Sequence, residues 1–198
     1  MSDDRLGRQV AFLAEADKLK TILRRTPIAD GSRPENSAEH SWHLVLAAMT
    51  LAEYAPPGVN LRRVLELLAI HDLVEIDAGD TFLYDDAHAA SKLARETAAA
   101  DRLFGLLDEP IRGELRGAWD EFEAGVSPEA RFARALDRLQ PMLQNLYTDG
   151  ASWRAHGITA PQVRAKNGPP IRAGAPALWD HVDALLADAI RVGMIAGE

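Results

Sequence analysis

Apolar positions along this chain recur every three or four residues, in stretches separated by proline and glycine, and nowhere alternate over a useful length. Leu6 to Arg25 places Val10, Leu13, Ala14, Leu19 and Leu23 on one face. Thr26-Pro27 ends that pattern, because the residue before a proline is driven out of helical conformation. Arg24-Arg25 then close the helix, where cations complement the carbonyl end of the dipole. Asn36-Ser37-Ala38-Glu39 has the spacing of a capping box and opens a helix to about Tyr54, with His40, Leu44, Ala47 and Leu51 inward. Leu61 to Asp77 is the next helix, stopped by Gly79. Ala87 to Leu107 follows with Leu93, Ala94, Thr97, Ala100 and Phe104 inward, then a helix from Pro110 to about Phe122. Pro128 to Tyr147, capped by Ser127, and Ala177 to about Met194 complete the pattern.

Residues 150–176 carry Gly157, Asn167-Gly168-Pro169-Pro170, Gly174 and Pro176, which predicts a long loop with one short helical stretch near Ala160 to Ala165. Trp153, His156 and Arg164 make that loop a flap over a pocket, or else Trp153 simply anchors it to the core. The expected fold is all-α: a bundle of six or seven helices in a single domain over residues 1–198. Its core spans about residues 13–147, followed by the 150–176 loop and a C-terminal helix over 177–194.

Chemistry enters where the inward stripe of the third helix changes character. It reads Leu61, Val64, Leu65, Leu68 and then His71, Asp72 and Glu75, without a break in period. A lone carboxylate is costly to desolvate, so an inward-facing one needs a partner. A divalent cation is one candidate and a structural ion pair is the other. His40, in the first turn of its helix on the apolar face, is either a metal ligand or a satisfied core histidine, and His43 beside it is at most a supporting contact. Asp137 lies beside the stripe Phe132, Leu136, Leu139, Leu143, on an edge shared with Ala133 and Gln140. Pro141, four residues on, has no N–H for the Asp137 carbonyl and predicts a bend there. Asp137 either faces a site at that bend or pairs with Arg134 or Arg138 at the surface. Together, two imidazoles and two carboxylates form a donor set suited to Mn, Co, Fe, Zn or Mg.

Composition narrows the choices. The 198 residues include no cysteine, which excludes thiolate ligands and disulfides. A net charge of −8 argues against a nucleic acid polymer or an anionic membrane as partner. The acidic start Met1-Ser2-Asp3-Asp4-Arg5 lacks the form of a signal peptide, and no apolar run is long enough to span a bilayer, so the cytoplasm is the expected location.

The spaced set resembles the HD-domain superfamily of metal-dependent phosphohydrolases. Three segments carry the likeness: Glu39-His40-Ser41 within the stretch Arg33 to Ser41; His71-Asp72, Glu75 and Gly79-Asp80; and Leu136-Asp137. They are similar to the 5′-deoxynucleotidase branch of that superfamily, over about Leu13 to Leu146. The resemblance implies that His40, His71, Asp72 and Asp137 ligate one divalent metal ion and that Glu75 positions or deprotonates the attacking water. It implies that Asp80 binds the nucleotide near the sugar and the scissile ester, and that Arg25, or Arg24, contacts phosphate. It further implies a small-molecule nucleotide substrate, hydrolysis of nucleoside 5′-monophosphates to nucleoside and phosphate, and a homodimer. The bacterial enzymes follow that arginine with Trp-Pro, whereas here Thr26-Pro27 follows Arg25. The departure falls at a feature tied to deoxyribose selection. The competing readings are an HD phosphohydrolase acting on another phosphoester, such as a triphosphate, a cyclic dinucleotide or an alarmone, and a metal-binding regulatory protein without turnover.

Overall fold

The computed structural model describes residues 4–197, the side chains of Asp86 and Ala89 excepted. Met1-Ser2-Asp3, read above as part of an acidic start, lies outside the described residues. The first helix, α1 (Arg5–Ala16), is shorter than expected. A 3-10 turn over Asp17–Thr21 continues it, and the chain then extends into β1 (Leu23–Pro27), which pairs antiparallel with β2 (Pro34–Asn36). The expectation of no strand, and of a helix running to Arg25, is therefore corrected. The residues from Ile22 onward find their hydrogen-bond partners across the hairpin: Ser37 N–H donates to the Ile22 carbonyl at 3.0 Å and Ile28 N–H to that of Arg33 at 3.0 Å. Pairing between distant residues is invisible to a local helical period. The correction also moves Arg24 and Arg25 from a helix end to a strand, where successive side chains point to opposite faces.

The capping box expected at Asn36 and Glu39 starts α2 (Ser37–Thr50). The third helix ends sooner than its stripe indicated. α3 (Leu61–Ile70) gives way to a tight turn, with Leu73 N–H bonded to Ile70 O and Glu75 N–H to Asp72 O, before the short α4 (Glu75–Ala78). Gly79 closes it at φ 73°, a conformation that favours glycine. α5 (Asp86–Phe104), α6 (Ile111–Ala124) and α7 (Pro128–Tyr147) follow, with Ser127 capping α7 as expected. α7 continues through Pro141; the Asn145 amide donates to the Pro141 carbonyl one turn on.

The segment expected to be a loop is helical. α8 (Ala151–Ala155) and α9 (Ala160–Gly174) precede α10 (Pro176–Arg191). Thr159 and Gln162 form a capping box, and Pro161 sits in the first turn, where its missing N–H costs nothing. Its glycines are packing contacts rather than breakers. A Cβ on Gly174 would lie 2.1 Å from the Arg131 carbonyl oxygen of α7, and one on Gly168 would lie 3.1 Å from the Trp179 ring. Burial of Val163, Asn167 and Ile171 between α7 and α10 outweighs the carbonyls that Pro169 and Pro170 leave unbonded.

α7 is the central helix, packed against α2, α3, α6, α9 and α10. The core gathers Leu44 of α2, Val64, Leu67 and Leu68 of α3, and Phe132 and Leu136 of α7, all essentially without solvent contact. Two inward faces are revised. Leu6, Val10 and Leu13 of α1 are exposed, since that helix lies against the 3-10 turn that follows it. On α5 the buried face is Glu96, Ala99, Ala100, Leu103 and Phe104, while Leu93 and Ala94 are exposed. The α7–α9 contact gives a direct test. Gly174→Ala forces the two backbones apart and is expected to destabilise the protein by about 1–3 kcal/mol. Thermal unfolding monitored by circular dichroism measures the loss.

Candidate metal centre

Three helices deliver four side chains to one point. His40 comes from the first turn of α2, His71 and Asp72 from the turn that ends α3, and Asp137 from the middle of α7. His40 Nε2 lies 3.0 Å from Asp137 Oδ1 and 4.0 Å from Asp72 Oδ2. His71 Nε2 lies 3.1 Å from Asp72 Oδ1 and 3.8 Å from Asp137 Oδ1. Each side chain is at most 12 % exposed. His40, His71 and Asp72 each offer a ligand atom, all within 4.8 Å of one another. The surface-pair reading of Asp137 does not hold: Arg138 reaches it only at 3.8 Å, and its other contacts are the two imidazoles.

The hydrogen bonds behind the imidazoles settle which ring nitrogen faces the centre. His40 Nδ1 donates to Gln140 Oε1 at 3.0 Å, and His71 Nδ1 donates to the Leu68 carbonyl at 2.9 Å. Both Nε2 atoms are thereby turned toward carboxylate oxygens. Acceptors facing one another at these distances repel unless a proton or a cation lies between them. His71 Nε2 is buried and has no hydrogen-bond partner. This is the pattern of a nitrogen and oxygen donor set for one cation. Burial alone would lower the His71 imidazole, but Asp72 and Asp137 outweigh it and push it up to about 9. Burial would raise Asp137; Arg138 and the two imidazoles instead hold it well below the usual carboxylate range.

A second set of side chains holds the first in place. Gln140 and Gln144 of α7 donate to Glu35 at 2.7 and 2.6 Å, and Gln140 also meets His43 Nδ1 at 3.1 Å. His43 thus has the supporting contact expected of it. Glu35 lies 3.4 Å from His40 Nδ1 and 3.6 Å from Arg24 Nε. Glu35, Ser37, Gln140 and Gln144 were not singled out from sequence. Gln140 was legible in principle, one turn after Asp137 on the same face. Glu35 lies inside the stretch Arg33 to Ser41, yet the two glutamines that donate to it are 105 and 109 residues away.

Glu75 starts α4 and accepts a hydrogen bond from Ser37 Oγ at 2.6 Å. Burial first, and the nearby Asp72 charge second, raise its carboxyl well above the usual range. Arg24 donates to Asp72 at 3.1 Å and lies 3.8 Å from Asp80. Burial and the Asp72 charge raise Asp80 against the pull of Arg24. Arg25, one residue along the strand, is exposed and makes no such contact.

Two cavities meet here. A charged one is bounded by the metal-centre side chains His71, Asp72 and Asp137 together with Glu75 and Lys92. A second, about 550 Å³ counting its mouth, is lined by Arg25, Tyr84, Trp153 and Asn167. Arg24, Asp80, Thr81, Asp137 and Arg138 form the wall common to both. Trp153 is buried and anchors α8, as one of the two readings required, while also lining the second cavity. His156 packs on Phe82, and Arg164 pairs with Asp183 of α10, so neither lines this cavity.

Comparison with known proteins places the chain among phosphohydrolases and 5′-deoxynucleotidases by similarity. A crystal structure described as a predicted metal-dependent phosphohydrolase from Magnetospirillum magnetotacticum superposes with a TM-score of 0.92 at 50 % identity, over 97 % of this chain and 96 % of that one. The 5′-deoxynucleotidase of Danio rerio is 34 % identical over 140 residues, 70 % of this chain and 68 % of the relative. The human 5′-deoxynucleotidase is 32 % identical over 134 residues, 67 % of this chain and 64 % of its own length. The chain thus spans about two thirds of the curated relatives. The family model for the HD domain matches residues 16–179, a span that contains His40, His71, Asp72 and Asp137, and the chain therefore belongs to the HD-domain family.

Proposed function

We propose that this chain is a metal-dependent 5′-nucleotidase that hydrolyses nucleoside 5′-monophosphates to nucleoside and phosphate. One observation carries the reading: His71 Nε2, buried and without a hydrogen-bond partner, is turned into a ring of donors from His40, Asp72 and Asp137. These four would hold one divalent ion, with Mn, Co, Fe, Zn and Mg all suited to the donor set. When bound, such an ion neutralises charge on the phosphoryl group. The similarity to 5′-deoxynucleotidases supports the substrate class.

The remaining steps belong to the protein's own residues. Glu75, held by Ser37 and with a raised carboxyl, takes a proton from the attacking water. The water oxygen bonds to phosphorus as the ester P–O bond breaks; the nucleoside oxygen takes a proton from solvent as it leaves, and Glu75 then returns its proton to solvent. Asp80, on the wall between the cavities, faces the sugar side of that ester. Arg24 orients Asp72 and Asp80 and adds positive charge at the phosphate, while Arg25 lies at the mouth of the second cavity. The chain acts as one domain: a single cluster of buried residues runs from Phe12 to Ile195.

The functional unit is a homodimer. Leu6, Val10 and Leu13 on α1 and Trp42, Leu46 and Met49 on α2 are left exposed, each set at spacings of one turn. Stripes of this kind on a folded surface mark a face that associates. Among the described residues no helix is long and apolar enough to cross a membrane.

Three outcomes are expected. Glu75→Gln should lower kcat on nucleoside monophosphates by about 10²-fold or more while metal content by elemental analysis stays at the wild-type level. Phosphate release from triphosphates but not monophosphates would reject the substrate class. Metal uptake should depend on pH. Below about 9 the His71 imidazolium must lose its proton before Nε2 can bind a cation. Affinity of the chelator-stripped protein should therefore rise by roughly tenfold per pH unit from 6 to 8 for one displaced proton. Metal titration in a non-coordinating buffer reads this directly. Finally, light scattering at micromolar concentration should give twice the monomer mass of 21.6 kDa.

A further inference from the structure

The charged cavity is lined by four arginine and lysine side chains among six carboxylates, and two of the four are tightly held. Arg24 is tied to Asp72 at 3.1 Å, with Glu35 at 3.6 Å and Asp80 at 3.8 Å. Arg134 donates to the Phe122 and Glu123 carbonyls at 3.1 and 2.8 Å and lies over the Phe122 ring. Lys92 and Arg138 differ. Lys92 Nζ is 3.5 Å from Glu96, and Arg138 Nη1 is 3.8 Å from Asp137. Both contacts are long for ion pairs. The two cations line the same cavity, together with Glu96 and Glu123. Each cation has one carboxylate neighbour, held more loosely than Asp72 is held by Arg24, so either can turn toward an anion placed between them.

We infer that Lys92 of α5 and Arg138 of α7 form the seat for the phosphate of the substrate, across the charged cavity from Arg24. The inference rests on the proposed hydrolase reading and assigns the phosphate to residues that sequence did not single out for it. Arg138 borders both cavities, so a phosphate held against it sends its ester oxygen toward Asp80 and its nucleoside into the cavity beside Tyr84, Trp153 and Asn167. Two loosely paired cations match a phosphomonoester, whose charge at neutral pH is about −1.5 to −2. Arg24 then acts mainly as a positioning residue for Asp72 and Asp80.

The probe is inorganic phosphate, used with the metal-loaded protein. Lys92→Gln and Arg138→Gln should each weaken competitive inhibition by phosphate by about tenfold or more and raise KM for a nucleoside monophosphate, with metal content unchanged. Lys92→Arg should restore most of the phosphate affinity. Because Lys92→Gln strands Glu96 without its cation, the double variant K92Q/E96Q is measured beside it and should show the same loss in a balanced background. Phosphate inhibition equal to wild type in both single glutamine variants, or in K92Q/E96Q, would overturn the seat. The two readings separate cleanly. Wild type that turns over monophosphates while the variants bind phosphate normally removes the seat alone. Wild type without turnover, but with Lys92-dependent phosphate binding, retains the seat and removes the nucleotidase.

Discussion

The structure depends on an electrostatic requirement: two imidazoles and two carboxylates are withdrawn from water around one point, and they are tolerable there only as a set. Desolvating any one alone would cost several kcal/mol. His40 Nε2 and Asp137 Oδ1, 3.0 Å apart, relieve that cost only by sharing a positive charge. The same requirement extends outward. Glu35 is buried yet held charged: burial would raise it, but His40 and Arg24 lower it, and two glutamine amides satisfy one of its oxygens. Each shell of side chains makes the next one inward affordable.

The fold meets this requirement by placing helix ends and a helix middle around the same volume. His40 is fixed by the capping box that starts α2, and His71 and Asp72 by the tight turn that ends α3. Asp137 projects from the centre of α7, which is clamped from behind by α9. That clamp is close because Gly174 lets the α9 backbone reach the Arg131 carbonyl. A rigid α7 matters because it carries Asp137, Arg138, Gln140 and Gln144 together, so that one rotation of the helix would displace every layer of the site at once.

Much of this was legible along the chain. The caps at Asn36 and Ser127 and the stop at Gly79 are local signals, and they fall where the structure has them. His40, His71 and Asp72 sit on inward stripes and Asp137 on the edge of one, and inward stripes of neighbouring helices must meet. The failures are equally informative. Arg24 was read as a helix terminus because residues 6–25 have a helical period, whereas β1 exists through pairing with β2. The prolines and glycines of α9 were read as loop because their cost is local and their compensation is not. Leu93 was placed inside α5 by hydrophobicity alone, while the face that turns inward carries Lys92 and Glu96 toward the charged cavity.

By itself, then, the amino-acid sequence determined the helical class, the helix caps and the kinds of donor available to a cation, because these follow from interactions within one turn or a few residues of chain. Tertiary structure decided which of two adjacent arginines faces the acidic cluster, that Glu35 and Gln140 support His40, and that a glycine- and proline-rich stretch forms a helix along one wall. Those outcomes turn on contacts between residues up to 109 positions apart, such as Glu35 with Gln144. Their energies arise only when distant segments exclude water from one another.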